Sequence, residues 1–202
     1  MAVVNLKNRQ IECKIVYYGP ARCGKTTNLE CIHKSFQEQI NGEMVSINTD
    51  GDRTLFFDFL PLKLGKIKGC DVRVQLYTVP GQVRYASTRK LVLRGADGIV
   101  FVADSLEVRR EKNLLSLKDL FENLKEYNLS LFKTPLVMQY NKRDLDGKDI
   151  NLMPLEKMEN DLNRQLKAPS FPCSAVTGEG VKKTLHTCLK LVLKSVQKEL
   201  NL

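Results

Sequence analysis

The loop Gly19-Pro20-Ala21-Arg22-Cys23-Gly24-Lys25-Thr26 constrains this chain more than any other feature. It follows the apolar run Ile15-Val16-Tyr17-Tyr18 and opens a helix-compatible stretch from about Lys25 to Gln37. A G-x-x-x-x-G-K-[ST] pattern between a strand and a helix predicts an anion nest, because backbone N–H groups and a helix N-terminus converge on phosphate oxygens. Lys25 then brings a point charge to the β- and γ-phosphates, and the Thr26 hydroxyl is a Mg²⁺ ligand. With Thr27 beside it, the segment Gly19 to Thr27 is the expected phosphate-binding set.

Around this loop the hydrophobic pattern alternates between strand and helix. Residues 55–62 and 72–76 read as strands, with turn chemistry at Gly65–Gly69 between them, so a hairpin is expected. The run Gly98-Ile99-Val100-Phe101-Val102-Ala103-Asp104 has the continuous apolar character of a parallel strand buried on both faces. A long amphipathic helix follows, with Leu106, Leu114, Leu117, Leu120, Phe121 and Leu124 inward. Then come a strand at 135–140, a helix at 155–166, a short strand at 170–173, and a last helix from Val181 with Leu185, Leu189, Val192 and Val196 inward. Such alternation demands right-handed crossovers and a mostly parallel sheet with helices on both faces, the hairpin adding one antiparallel edge strand. No repeat or linker divides residues 1–202, which read as one α/β domain. Ligands of such sheets sit beyond the carboxyl ends of the strands.

Composition narrows the function further. The 202 residues are 43% hydrophobic and 27% charged, enough for one sizeable core and too apolar for disorder. No apolar run reaches the ~18 residues of a membrane span, and the first residues lack a signal-peptide pattern. A cytoplasmic protein is expected. Six cysteines without C-x-x-C spacing read as reduced thiols, not as a disulfide or metal framework. The net charge of +9 comes from scattered Lys residues, with no Trp and no aromatic nucleic-acid motif, so nucleic acid is not an expected partner. Ala2, and the absence of a Cys in Lys198-Glu199-Leu200-Asn201-Leu202, predict no lipid anchor.

Three more loops refine the ligand. Asn141-Lys142-Arg143-Asp144 follows the 135–140 strand. The Asp144 carboxylate there can accept from guanine N1–H and N2–H₂, donors that adenine does not offer, and a site built on such bonds discriminates strongly. Ser174-Ala175-Val176 follows the 170–173 strand and can offer backbone N–H to guanine O6. Thr78-Val79-Pro80-Gly81-Gln82 ends the hairpin. Its Gly81 N–H can approach a γ-phosphate and Gln82 can orient the attacking water. In the polar segment before the hairpin, Thr54 can complete a Mg²⁺ shell and Arg53 can neutralise transition-state charge.

In this order the segments resemble those of Ras-like small GTPases with the P-loop NTPase fold. Residues beyond the general motifs are similar to the MglA-type bacterial polarity and gliding-motility GTPases. They include Lys14-Ile15-Val16-Tyr17-Tyr18-Gly19-Pro20, Arg53-Thr54-Leu55-Phe56-Phe57-Asp58-Phe59-Leu60-Pro61-Leu62 and Leu76-Tyr77-Thr78-Val79-Pro80-Gly81-Gln82. The resemblance implies a slow GTP/GDP switch recruited to a cell pole when GTP-bound, with Mg²⁺ as cofactor and Arg53 as an arginine finger supplied in cis. Its implied partners are a homodimeric Roadblock-type (MglB-like) GTPase-activating protein and polarity effectors of response-regulator type. It also implies that the 55–62 strand shifts register between nucleotide states. Thr78 stands where most Ras-like proteins have an Asp, which predicts weaker Mg²⁺ organisation, a Thr that the MglA type shares. Ala21-Arg22 replaces that type's usual Gly and apolar residue, and the Ala21 methyl is expected to crowd the γ-phosphate and slow hydrolysis.

Three alternatives follow from the same residues. A hydrolysis-impaired module would hold GTP and recruit effectors persistently. A nucleotide kinase would need an acceptor site and an Arg-rich lid that the chain lacks. Nucleic-acid binding would rest on net charge alone.

Overall fold

Alternating burial along the strand that enters the phosphate loop builds the layers of this protein. Its computed structural model describes residues 3–5, 9–37, 44–47, 57–67, 69–81 and 85–199. The chain runs β1 (Val3–Asn5), β2 (Gln10–Tyr18), α1 (Lys25–Ser35), β3 (Val45–Ile47), β4 (Phe57–Ile67), β5 (Cys70–Thr78) and α2 (Ala86–Leu93). It continues through β6 (Gly98–Asp104), α3 (Arg110–Glu126), β7 (Leu136–Asn141), α4 (Leu155–Leu162), β8 (Ser170–Pro172) and α5 (Val181–Glu199). Along β2 the side chains of Cys13, Ile15 and Tyr17 join Leu29 and Ile32 of α1 and Leu185, Cys188 and Val192 of α5. Val16 and Tyr18 point the other way, toward Leu93 of α2 and Leu120 and Leu124 of α3. The period of two in a strand thus separates two apolar cores on either side of one sheet.

The described strands form one sheet in the order β3-β4-β5-β2-β6-β7-β8, with β1 pairing β2 beyond the reach of β6. Strands β5, β2, β6, β7 and β8 are mutually parallel, while β4 runs antiparallel to β5. Because β2 has β5 on one side and β6 on the other, the strand order reverses at the end of β2, the position where open α/β sheets bind ligands. The parallel pairs Tyr17↔Thr78, Tyr18↔Phe101 and Asp104↔Asn141 align the carboxyl ends, so the loops after all five strands open at one edge.

Three details differ from the sequence reading. The hairpin is longer than expected, since β4 runs on through Gly65 until Ile67 pairs with Cys70, with an irregularity between Lys63 and Lys66. Helix α4 ends at Leu162, four residues short of the expected end, because the Asn163 side chain holds the following loop. Its Oδ1 accepts from Ala168 N–H at 2.9 Å and its Nδ2 donates to Ala168 O at 2.8 Å. Three-residue β3 occupies the edge outside β4, and β1 adds a third antiparallel pair beside β4–β5 and β3–β4. Among the described residues, no helix is long and apolar enough to cross a membrane.

Candidate functional site

The phosphate loop joins β2 to α1 and is held from several sides. Gly24 sits at φ +98°, and a Cβ there would meet Asn141 Nδ2 at 2.2 Å, so only glycine fits. Asn28 on α1 donates to Gly24 O at 2.9 Å and accepts from Gln139 of β7 at 2.8 Å. Lys25 is buried, its Nζ donating to Gly19 O at 2.9 Å and Pro20 O at 2.7 Å. Two carbonyls of the loop therefore fix the ammonium at the loop's own mouth. Burial pushes the Cys23 thiol up, partly opposed by the Lys25 ammonium, which leaves Cys23 a protonated filler beneath the loop. Arg22 is exposed, at φ 63°. Thr27 is half-buried in the first turn of α1.

Asn141 links three loops. Fully desolvated at the end of β7, it donates from Nδ2 to Cys23 O at 2.7 Å and accepts Ala175 N–H at Oδ1 at 2.9 Å. Lys142, in the left-handed region at φ 73°, reaches the buried Asp104 carboxylate at 2.7 Å. Asp144 lies half-buried on the 3-10 turn Arg143–Leu145 at the same edge. The N–H groups expected to meet a base are engaged here: Ser174 N donates to Glu179 O at 3.0 Å and Ala175 N to Asn141. Val176 follows them with its side chain 78% exposed.

The hairpin end completes the cleft. A Cβ on Gly81 would stand 2.2 Å from Ala21 N, so β5 delivers Gly81 directly onto the phosphate-loop backbone. Arg89 of α2 supports that approach, bonding Asp119 of α3 at 2.8 Å and Pro80 O at 3.5 Å. Asp119 also receives the Tyr18 hydroxyl, whose ionisation is pushed up by burial and by that carboxylate. Gln82, Arg53 and Thr54, the expected water-positioning residue, finger and second metal ligand, lie outside the described residues.

One functional candidate escaped the sequence reading. Asp58 of β4 is buried, and its Oδ2 accepts from Thr26 Oγ1 at 2.7 Å and from Thr78 Oγ1 at 2.8 Å. Asp58 N–H also donates to Thr78 Oγ1 at 2.9 Å. A carboxylate from the adjacent strand thus occupies the corner that Thr78 leaves without one. This all-oxygen set suits a hard cation such as Mg²⁺, and Thr26 with Asp58 would hold it. The lone acid within the apolar run 55–62 was the available signal.

Comparison with known proteins agrees with this geometry. A family model described as the Ras family matches residues 14–194. The chain is 50% identical over 198 residues to the Mutual gliding-motility protein MglA of Myxococcus xanthus, covering 98% of this chain and 99% of that relative. It is 25% identical over 188 residues to the Ras-related protein Rab-27B of Rattus norvegicus, covering 92% and 81%. To the Ras-related protein SEC4 of Saccharomyces cerevisiae it is 26% identical over 183 residues, covering 91% and 76%.

Proposed function

The chain belongs to the Ras family of small GTPases, and from that premise we propose that it is a guanine-nucleotide switch that hydrolyses GTP slowly and controls bacterial polarity and motility through effectors. The observation that carries the reading is Asn141, whose amide ties the phosphate loop at Cys23 to the 174–176 loop at Ala175. Phosphate-binding and base-binding loops held by one side chain form a single cleft, with Asp144 at its base-binding end. The motility role rests on the likeness to a relative named for gliding motility.

Within the cleft, Lys25 bears on the β- and γ-phosphates and the Arg22 and Gly24 N–H groups line the nest. Gln82 orients the attacking water and Arg53 neutralises charge on the transferring phosphoryl group from within the chain. Mg²⁺, when bound, offsets phosphate charge; Thr26, Asp58 and Thr54 are its proposed holders. A homodimeric Roadblock-type partner accelerates turnover by repositioning Arg53 and Gln82, and the GTP form moves from the cytoplasm to a cell pole.

A second reading, a hydrolysis-impaired module that recruits effectors persistently, is favoured by one contact. Gly81 packs directly on the Ala21 backbone, a Cβ there standing 2.2 Å from Ala21 N and 2.4 Å from Ala21 Cα, and on this reading the Ala21 side chain crowds the corner where a γ-phosphate and Gln82 would meet. Single-turnover GTP hydrolysis with Mg²⁺ by the protein, Gln82→Ala and Arg53→Ala separates the two. Slow turnover that collapses in both variants supports a catalytic set complete in cis. Negligible turnover in all three, restored by Ala21→Gly, supports the persistent module.

A further inference from the structure

Arg109 belongs to no motif described above. It closes the 3-10 turn Glu107–Arg109 between β6 and α3. Its guanidinium donates to the carbonyl of Ala21 in the phosphate loop, while its Nε lies 3.5 Å from the carboxylate of Asp104. Asp104 is fully buried and also takes Lys142 Nζ at 2.7 Å and Leu106 N–H at 3.2 Å. Asn113 of α3 fixes the Asp104 backbone with two bonds, at 2.9 Å to its N–H and 2.8 Å to its carbonyl. A carboxylate sealed from water demands such partners, and here they come from both ends of the nucleotide cleft.

The bond to Ala21 determines how one peptide faces. In a planar trans peptide the carbonyl of residue 21 and the N–H of residue 22 point in opposite directions. Gripping the Ala21 carbonyl toward α3 therefore turns the Arg22 N–H away from α3, the orientation in which such loops gather their N–H groups on an anion. The same peptide is strained on its far side. Arg22 holds φ at 63°, where a β-carbon crowds the backbone and glycine is favoured. Something must hold a non-glycine residue there.

We propose that Arg109 is a positioning residue for nucleotide binding. It holds the strained Ala21–Arg22 peptide in its phosphate-facing orientation and, through Asp104, couples that peptide to Lys142 of the base-binding loop. The inference rests on the guanine-nucleotide reading only in using GDP retention as one of its two readouts.

Release of a fluorescent GDP analogue is followed for the protein, Arg109→Lys and Arg109→Met, and for the same two changes in an Arg22→Gly background. Arg109→Met is expected to speed release about tenfold, the loss of one charge-assisted hydrogen bond, with Arg109→Lys falling between. In the Arg22→Gly background the acceleration is expected to shrink below about threefold, because glycine holds that turn without an anchor. Equal acceleration in both backgrounds overturns the proposal, since Arg109 would then act only on Asp104 and Lys142. No acceleration also overturns it. Amide hydrogen exchange across residues 19–26 of the protein as purified reads the anchor without reference to GDP. It must quicken in Arg109→Met, and more than in the doubly changed protein; unchanged exchange defeats the proposal. Failure of the parent protein to retain GDP would instead strike the nucleotide reading, leaving the exchange comparison to decide on Arg109. Arg109→Lys keeps a cation beside Asp104 and so preserves a folded comparison.

Discussion

The carboxylate of Asp58 accepts the hydroxyl of Thr26 at 2.7 Å, across the space between β4 and the first turn of α1. The same oxygen takes the hydroxyl of Thr78 at 2.8 Å. The end of β5, which carries Thr78, is thus matched by an acid one strand away, opposite it in the hairpin. Even a group that only orients a metal's ligands usually matters about 10- to 100-fold in metal affinity or activity, so a carboxylate proposed to hold the metal should matter at least as much. Asp58→Asn keeps the volume and loses the charge. It is expected to raise the Mg²⁺ concentration needed to slow GDP release by about tenfold, measured by titrating Mg²⁺ against release rate. An unshifted titration would remove Asp58 from the metal site.

Asn141 carries a structural load beside its proposed binding role. Removing its amide leaves Cys23 O and Ala175 N–H without their partner inside the cleft. Each buried polar group left unpaired costs about 1–3 kcal/mol. Asn141→Ala should therefore lower the thermal unfolding midpoint by about 5–20 °C and weaken GDP binding together. A loss of binding with an unmoved midpoint would mean that Asn141 touches only the ligand.

The cysteines give a pH prediction. Burial, with Asp97 nearby, pushes the Cys13 thiol up to about 12, and burial beside Cys13 does the same for Cys188. An acid whose pKa is higher in the folded state than in the unfolded one stabilises fully below the unfolded value. That contribution is lost as pH rises from 9.0 toward about 12. Together the two thiols should cost about 2–3 kcal/mol between pH 8 and pH 10, read from urea midpoints. Cys13→Ala with Cys188→Ala should flatten that decline. At pH 8 a disulfide reagent should label the half-buried Cys31 and Cys70 first, ahead of the buried Cys13, Cys23, Cys173 and Cys188.

Much of this architecture is legible in the sequence because local rules govern it. The continuous apolar run 98–104 could only be a strand buried on both faces, and all seven of its residues are buried. Leu185, Leu189, Val192 and Val196 repeat at helical spacing and all face the core. The end of α4 was misjudged because its stop signal is a side-chain bond from Asn163 to Ala168 that spacing does not reveal. Strands β1 and β3 are three residues long, too short for a period to register. Asp58 and Arg109 eluded motif reading for a different reason. One is brought to Thr26 by the hairpin register that pairs Phe59 with Tyr77, and the other reaches Ala21 across 88 positions of chain. Long-range pairing leaves no mark on local pattern.

The most direct test of the account is nucleotide competition. A fluorescent GDP analogue bound to the protein with Mg²⁺ is displaced by GTP or by ATP. A cleft with Asp144 at its base-binding end is predicted to prefer GTP by at least about a thousandfold, since a site built to pair a base's donors rejects one that lacks them. Asp144→Ala should collapse most of that preference. Equal displacement by ATP and GTP would contradict the reading of this protein as a guanine-nucleotide switch.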